Sequence, residues 1–166
     1  MKHILNVLVQ DRSGVLVRVA GLFSRRGYNI NSLTVGNTEN PGVSSMTIVV
    51  EGDDRIIEQV TKQLHKIVEV LKISDVTHDE YVGRELLMLR VVANKEDRLE
   101  IMNLCDIFRI KIVDIQRKSF IIEATGTKSK LSAIEDAFRP FGIQEIKRTG
   151  LIAMVRGENK AAKREQ

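Results

Sequence analysis

One order of hydrophobic patterns, strand–helix–strand–strand–helix–strand, runs through the 166 residues twice. That repeat restricts the fold more than any other feature of the chain. In the first copy, Ile4 to Val9 reads as a buried strand with Leu5, Val7 and Val9 on one face. Asp11-Arg12-Ser13-Gly14 is a turn in which Ser13 is expected to cap a helix. Val15, Leu16, Val19, Leu22 and Phe23 follow helical spacing, and Arg26-Gly27 ends that helix. Asn29 to Val35 and Ser44 to Glu51 are strands separated by the turn signal Asn40-Pro41-Gly42. Asp53-Asp54 opens a second helix with Ile56, Val60, Leu64, Ile67 and Val68 as its apolar stripe, and Leu71 to Val76 closes the unit.

The second copy begins with a strand over Glu85 to Val92 and a helix over Lys95 to Phe108, whose stripe reads Leu99, Met102, Cys105 and Phe108. Strands over Ile112 to Arg117 and Ser119 to Thr125, a helix over Ser129 to Phe141 and a strand over Ile143 to Lys147 follow, and Leu151 to Val155 adds one more. Early elements recur about 82 positions on and late ones about 75, because the second hairpin lacks the Asn-Pro-Gly loop. The expected organisation is one module over 1–78, a second over 84–158 and a basic, disordered tail over 159–166. Right-handed crossovers joined by a hairpin make each module an α+β, ferredoxin-like βαββαβ unit with both helices on one face of a four-stranded antiparallel sheet.

In that topology the second strand lies at a sheet edge. Asn31-Ser32-Leu33-Thr34-Val35 carries no lysine, proline or charge to repel a neighbour. Unguarded edges pair with something, so a homodimer joined along this strand is expected.

Composition narrows the function. The chain is 43% hydrophobic and 29% charged, and its longest apolar run is Leu151 to Val155. These values fit a globular protein with no membrane span and, without a signal-peptide core, a cytoplasmic location. Cys105 is the one cysteine, so no internal disulfide forms. Residues 1–80 carry nine Lys/Arg against ten Asp/Glu, and residues 81–166 seventeen against twelve. A basic half suits an acidic partner surface or nucleic acid. RNA readers of this topology stack bases on strand aromatics, however, and Phe120 is the one phenylalanine on a strand here, so no nucleic-acid partner is expected. His3, His65 and His78 lie in three different elements without metal-ligand spacing, and no nucleophile elbow, phosphate loop or dinucleotide fingerprint occurs. Neither a catalytic residue nor a metal site is expected.

The segment Asp11 to Leu16 remains, entering a helix directly from a strand. Glycine there permits close backbone approach, and the amides that follow are helix-start donors suited to a carboxylate. Asp11 could hold an ammonium group, so the turn could recognise both charged ends of an amino acid; it could equally be a plain capped turn. An exposed turn cannot supply the dry contacts that useful affinity needs. The junction of two paired sheets can, and Asn29 at the start of the edge strand would reach across it.

These residues resemble an ACT domain, an amino-acid-sensing unit. Gly21-Leu22-Phe23-Ser24-Arg25-Arg26-Gly27-Tyr28-Asn29-Ile30, Ser32-Leu33-Thr34-Val35, Met46-Thr47-Ile48-Val49-Val50 and Glu58-Gln59-Val60-Thr61-Lys62-Gln63-Leu64-His65-Lys66 resemble, more narrowly, the regulatory (small) subunit of acetolactate synthase. The resemblance covers nearly the whole chain, by motif in the first module and by layout in the second. It implies a non-catalytic subunit that binds a separate catalytic (large) subunit. That partner would use thiamine diphosphate, Mg²⁺ and FAD to condense 2-oxo acids on the way to valine, leucine and isoleucine, with no cofactor in this chain. It further implies activation of that enzyme and feedback inhibition by valine. The implied effector site comprises Asp11, Gly14, Val15 and Leu16 of one chain with Asn29 and Ile30 of another. A free-standing ACT-domain sensor that regulates another enzyme or transcription is the other reading.

Overall fold

Alternation of apolar residues dictates both sheets. In the computed structural model, which describes residues 1–157, β1 (Lys2–Gln10) and β3 (Val43–Glu51) pair antiparallel along their whole lengths. Their odd and even positions point Leu5, Val7, Val9, Met46, Ile48 and Val50 to one side, where they meet Val19, Leu22 and Phe23 of α1 (Val15–Arg25) and Ile57, Val60 and Leu64 of α2 (Asp54–Leu64). With β2 (Ile30–Asn37) and β4 (Val70–Asp75), the strand order is β2-β3-β1-β4. The expected edge strand is therefore at an edge. Removing these side chains from water at about 25 cal/mol per Å² is the dominant favourable contribution to the unit.

The second unit repeats the arrangement. β5 (Tyr81–Val92), α3 (Arg98–Phe108), β6 (Lys111–Ile115), β7 (Ser119–Gly126), α4 (Lys128–Phe138) and β8 (Ile143–Arg148) form a sheet of order β6-β7-β5-β8. Its core joins Leu87, Leu89 and Val91 to Phe120, Ile122, Ile101, Cys105, Leu131, Ile134 and Phe138. Both units are thus antiparallel βαββαβ folds, as the repeat predicts.

Three details correct the sequence reading. Ser13 is not the cap of α1: Gly14 holds that position at φ 86°, and no side chain caps the helix. On α3 the inward residues are Ile101 and Cys105, whereas Leu99 and Met102 are exposed. The helix starts at Arg98, and apolar residues surround most of its circumference, which leaves the phase open to sequence reading. Leu16 and Val68 also lie at the surface; α2 ends at Leu64, so Val68 is beyond its last turn.

The last strand, β9 (Ile152–Val155), which sequence grouped within 84–158, has a double attachment. It pairs with β5, but its side chains complete a small core with Ile4, Val49 and Val76 of the first unit, joined by Tyr81, Leu151 and Val155. Ile4 and Val49 point to the face of the first sheet that carries no helix, and an apolar strand is what covers them. One compact unit accordingly comprises Met1–Val82 with the described residues from Leu151 on, and the other is Gly83–Gly150. The expected basic tail, 159–166, lies outside the described residues.

Candidate functional site

The turn between β1 and α1 is held by its backbone. Asp11 donates its N–H to the Gly42 carbonyl at 2.8 Å, and Gln10 donates to the Glu69 carbonyl at 2.8 Å. Gly14 then adopts a left-handed conformation that favours a residue without a Cβ, and a Cβ built there would have no atom within 4 Å. The space beside Gly14 is therefore open. Val15 donates to Arg12 O, but the amides of Leu16 and Val17 have no protein acceptor among the described residues. They are free helix-start donors at the positive end of α1. One turn on, Arg18 pairs with Glu69 and fixes α1 against the loop that precedes β4. The carboxyl of Glu69 lies below the ordinary range, chiefly through its own backbone amide and further through Arg18 and Arg12, against the opposing effect of desolvation.

Asp11 and Gly14 are exposed, Val15 is buried and Leu16 is half open. Four of the six predicted residues thus lie in one short segment, three of them at the surface. The other two do not join them. Ile30 pairs with Val50, which pairs with His3 at the beginning of β1, whereas the turn follows Gln10 at its far end. Seven strand residues separate the two groups, about 23 Å at ~3.3 Å per residue. Within one chain they cannot touch the same small molecule.

Two further apolar residues are exposed on α1 and β2: Val17, which sequence reasoning missed, and Val35, already read as part of the unguarded edge strand. Val17 on α1 is 75% exposed and Val35 on β2 is 46% exposed. The signal was available: Val17 lies off the helical stripe, yet it is a branched apolar residue. With Leu16 they give the edge and its helix an unpartnered apolar character. A cavity of about 420 Å³ lies elsewhere in the first unit, lined by Arg18, Leu22, Arg25, Arg26, Lys66 and Glu69 among others, and none of the six predicted residues lines it.

Cys105 is buried in the second core, and desolvation, aided by Asp106, pushes its thiol up to about 11. A thiol so rarely ionised at neutral pH is a packing residue. Phe120, the one strand phenylalanine, is buried beneath the Arg98 guanidinium, 5.1 Å from its ring centre, and offers no face to a base.

Residues 5–72 match the family described as the AHAS small subunit-like ACT domain, and residues 84–157 match that described as the small subunit of acetolactate synthase. The chain is 57% identical over 160 residues to the probable acetolactate synthase small subunit of Archaeoglobus fulgidus, spanning 96% of this chain and 100% of that protein. It is 45% identical to the acetolactate synthase small subunit of Bacillus subtilis, over 98% of this chain and 95% of that one. The crystal structure of the acetolactate synthase small subunit from Thermotoga maritima superposes with a TM-score of 0.88 at 42% identity, over 96% of this chain and 99% of that chain.

Proposed function

Because the chain belongs to the family of acetolactate synthase small subunits, we propose that it activates a catalytic large subunit and makes that enzyme sensitive to feedback inhibition by valine. The catalytic partner carries thiamine diphosphate, Mg²⁺ and FAD, this chain carries none of them, and the assembly works in the cytoplasm. Valine binds where two first units pair along β2.

The separation of the two residue groups carries this reading. β2 runs parallel to β1, so its start, Asn29-Ile30, and the Asp11–Leu16 turn lie at opposite ends of the sheet. When two identical edges pair about a two-fold axis they run antiparallel. The partner's strand start then falls beside Asn37, at the end of the sheet where the turn of this chain lies. A homodimer therefore assembles twice a site that the monomer cannot form. In it the free amides of Leu16 and Val17 face the ligand carboxylate, Asp11 faces its ammonium, and the partner contributes Asn29 and Ile30. Each charge-assisted hydrogen bond contributes about 1.5–3 kcal/mol, and burying the isopropyl group about as much. Together they exceed the ~4 kcal/mol that millimolar affinity requires. Occupancy favours one dimer arrangement over another, and a coupling of about 1–3 kcal/mol alters the response five- to 150-fold.

Sedimentation equilibrium tests the arrangement. The chain sediments as a dimer that valine tightens, and Val35→Lys, placing two lysines in the seam, weakens dimerisation at least tenfold, or about 1.4 kcal/mol. A chain that stays monomeric with and without valine would refute it.

A further inference from the structure

We propose that Ser32 and Thr34 are positioning residues. Through the backbone of Leu151 they tie the edge strand of the effector seam to β9, and this tie carries effector occupancy to the second unit. The inference rests on the effector reading above and adds its route.

Ser32 Oγ accepts the Leu151 N–H at 2.9 Å, and Thr34 Oγ1 donates to the Leu151 carbonyl at 2.6 Å. Both bonds are partly buried, and they join residues 119 and 117 positions apart. Two hydroxyls on one face of β2 thus satisfy both backbone polar groups of a single residue. Apolar contact alone would cover the open sheet face, since Ile4, Val49, Val76 and Ala153 already pack there. Apolar contact is non-directional. Hydrogen bonds at both the amide and the carbonyl fix where Leu151 lies along β2, and that is the property a relay needs.

Strand geometry links the tie to the seam. Ile30 and Leu33 both pack toward the helix-side core, which strict alternation forbids for residues three apart. The register shift between Ile30 and Ser32 accounts for it: Asn31 is the extra residue of a bulge. The bulge stands between the end of β2 assigned to the effector and the two hydroxyls. A ligand gripping Asn29 and Ile30 therefore acts directly beside the bulge, and any change of register there moves Ser32 and Thr34.

The far side of the tie is the chain path itself. The polypeptide leaves the first unit after Val82 and returns at Leu151, directly after Gly150 ends the second. Tyr81 and Leu151 both belong to the small core beneath β9, and Asn6 Nδ2 adds a 2.9 Å bond to the Ala153 carbonyl. Both connections to the second unit start from the layer that the hydroxyls hold in place.

The test uses the full chain assembled with its catalytic subunit. Ser32→Ala/Thr34→Val is compared with wild type and with Thr34→Ser, which keeps the donor. Calorimetry with L-valine reads binding, holoenzyme activity reads inhibition, and hydrogen exchange reads the amides of Ile152–Val155. The double variant is expected to bind valine within threefold of wild type, while its half-inhibiting valine concentration rises at least tenfold and valine no longer alters exchange in β9. Thr34→Ser retains normal inhibition. If the double variant fails to fold, Thr34→Val alone replaces it, with at least a threefold rise expected. A binding-competent variant inhibited at the wild-type concentration overturns the relay alone. A wild-type chain that does not bind valine overturns the effector reading and the relay together.

Discussion

In the first unit the chain enters its first helix through Gly14, at positive φ with open space beside it, and the amides of Leu16 and Val17 are free. In the second it enters through Asp97, with ordinary right-handed geometry and no glycine between Ala93 and Asp97. There Arg98, the first helical residue, reaches to the carbonyls of Gln116 and Arg117 and covers the Phe120 ring. Neither helix start is capped by a side chain; in the second unit Arg98 is tied to the turn between β6 and β7, whereas in the first Gly14 leaves the turn open. The edges differ in the same sense. β2 carries no charge, whereas β6 carries Lys111 and Asp114 within five residues. One topology, with the same strand order, thus carries an open turn and an uncharged edge in one copy and a tied turn and a charged edge in the other. Fold alone therefore cannot assign function; the proposed site rests on the helix start and the edge strand.

The strongest challenge to this comparison is to its premise, that each unit has its own core. Phe23 and Phe138 are both fully buried, one in each. Phe138→Ala is expected to destabilise the second unit by about 3–5 kcal/mol, and Phe23→Ala to do the same to the first. Calorimetric unfolding of each variant should show one early transition and one unchanged. Valine binding should survive Phe138→Ala and be lost with Phe23→Ala. A single shifted transition in both would mean that the cores are one cooperative body.

The helix starts give the next contrast. Gly14→Asp directs a carboxylate at the ligand's own, and losing even one charge-assisted contact weakens valine binding by about 1.5–3 kcal/mol, roughly ten- to 150-fold. Activation of the catalytic subunit is expected to persist. Gly14→Ala is the control for backbone strain, because nothing lies within 4 Å of its added Cβ. Lys95→Asp, in the corresponding turn of the second unit, should leave the valine response unchanged. If activation and valine sensitivity fall together in Gly14→Asp, the turn serves assembly rather than sensing.

What the sequence disclosed follows the range of the forces involved. The stop at Gly27 and the helix start at Asp53-Asp54 depend on residues within a few positions of one another, while strand order and the edge position of β2 follow from the element order through the handedness of crossovers; all were readable. The phase of α3 was not. Leu99, Ile101, Met102, Leu104, Cys105, Ile107 and Phe108 cover more than one face, so only packing decides that Ile101 and Cys105 turn inward. Nor could the placement of β9 be read. Its apolar residues predict a strand but not the sheet face it covers, and Ser32 and Thr34 find Leu151 across more than a hundred residues. The candidate site was legible as residue types at a turn and a strand start. Their separation to opposite sheet ends needed the register of three strands.

The smallest expected effect bears most directly on how α1 is used. The second helix of each unit is capped by a side chain: Asp53 accepts from Ile56 N–H at 2.8 Å, and Thr127 from Lys130 N–H at 3.3 Å. Asp53 adds a charge at the positive helix end, so Asp53→Ala should cost about 1–1.5 kcal/mol and Thr127→Ala about 0.5–1. Ser13 makes no such bond, and Ser13→Ala should leave the unfolding free energy unchanged within ~0.3 kcal/mol, in line with an exposed side chain that does nothing structural. In denaturant titrations the three substitutions should fall in that order. A loss at Ser13 equal to that at Asp53 would mean that its hydroxyl already holds the helix-start amides. Those amides would then have no free donor for a carboxylate, and the distinction drawn between the two units would fail at the point where it matters for function.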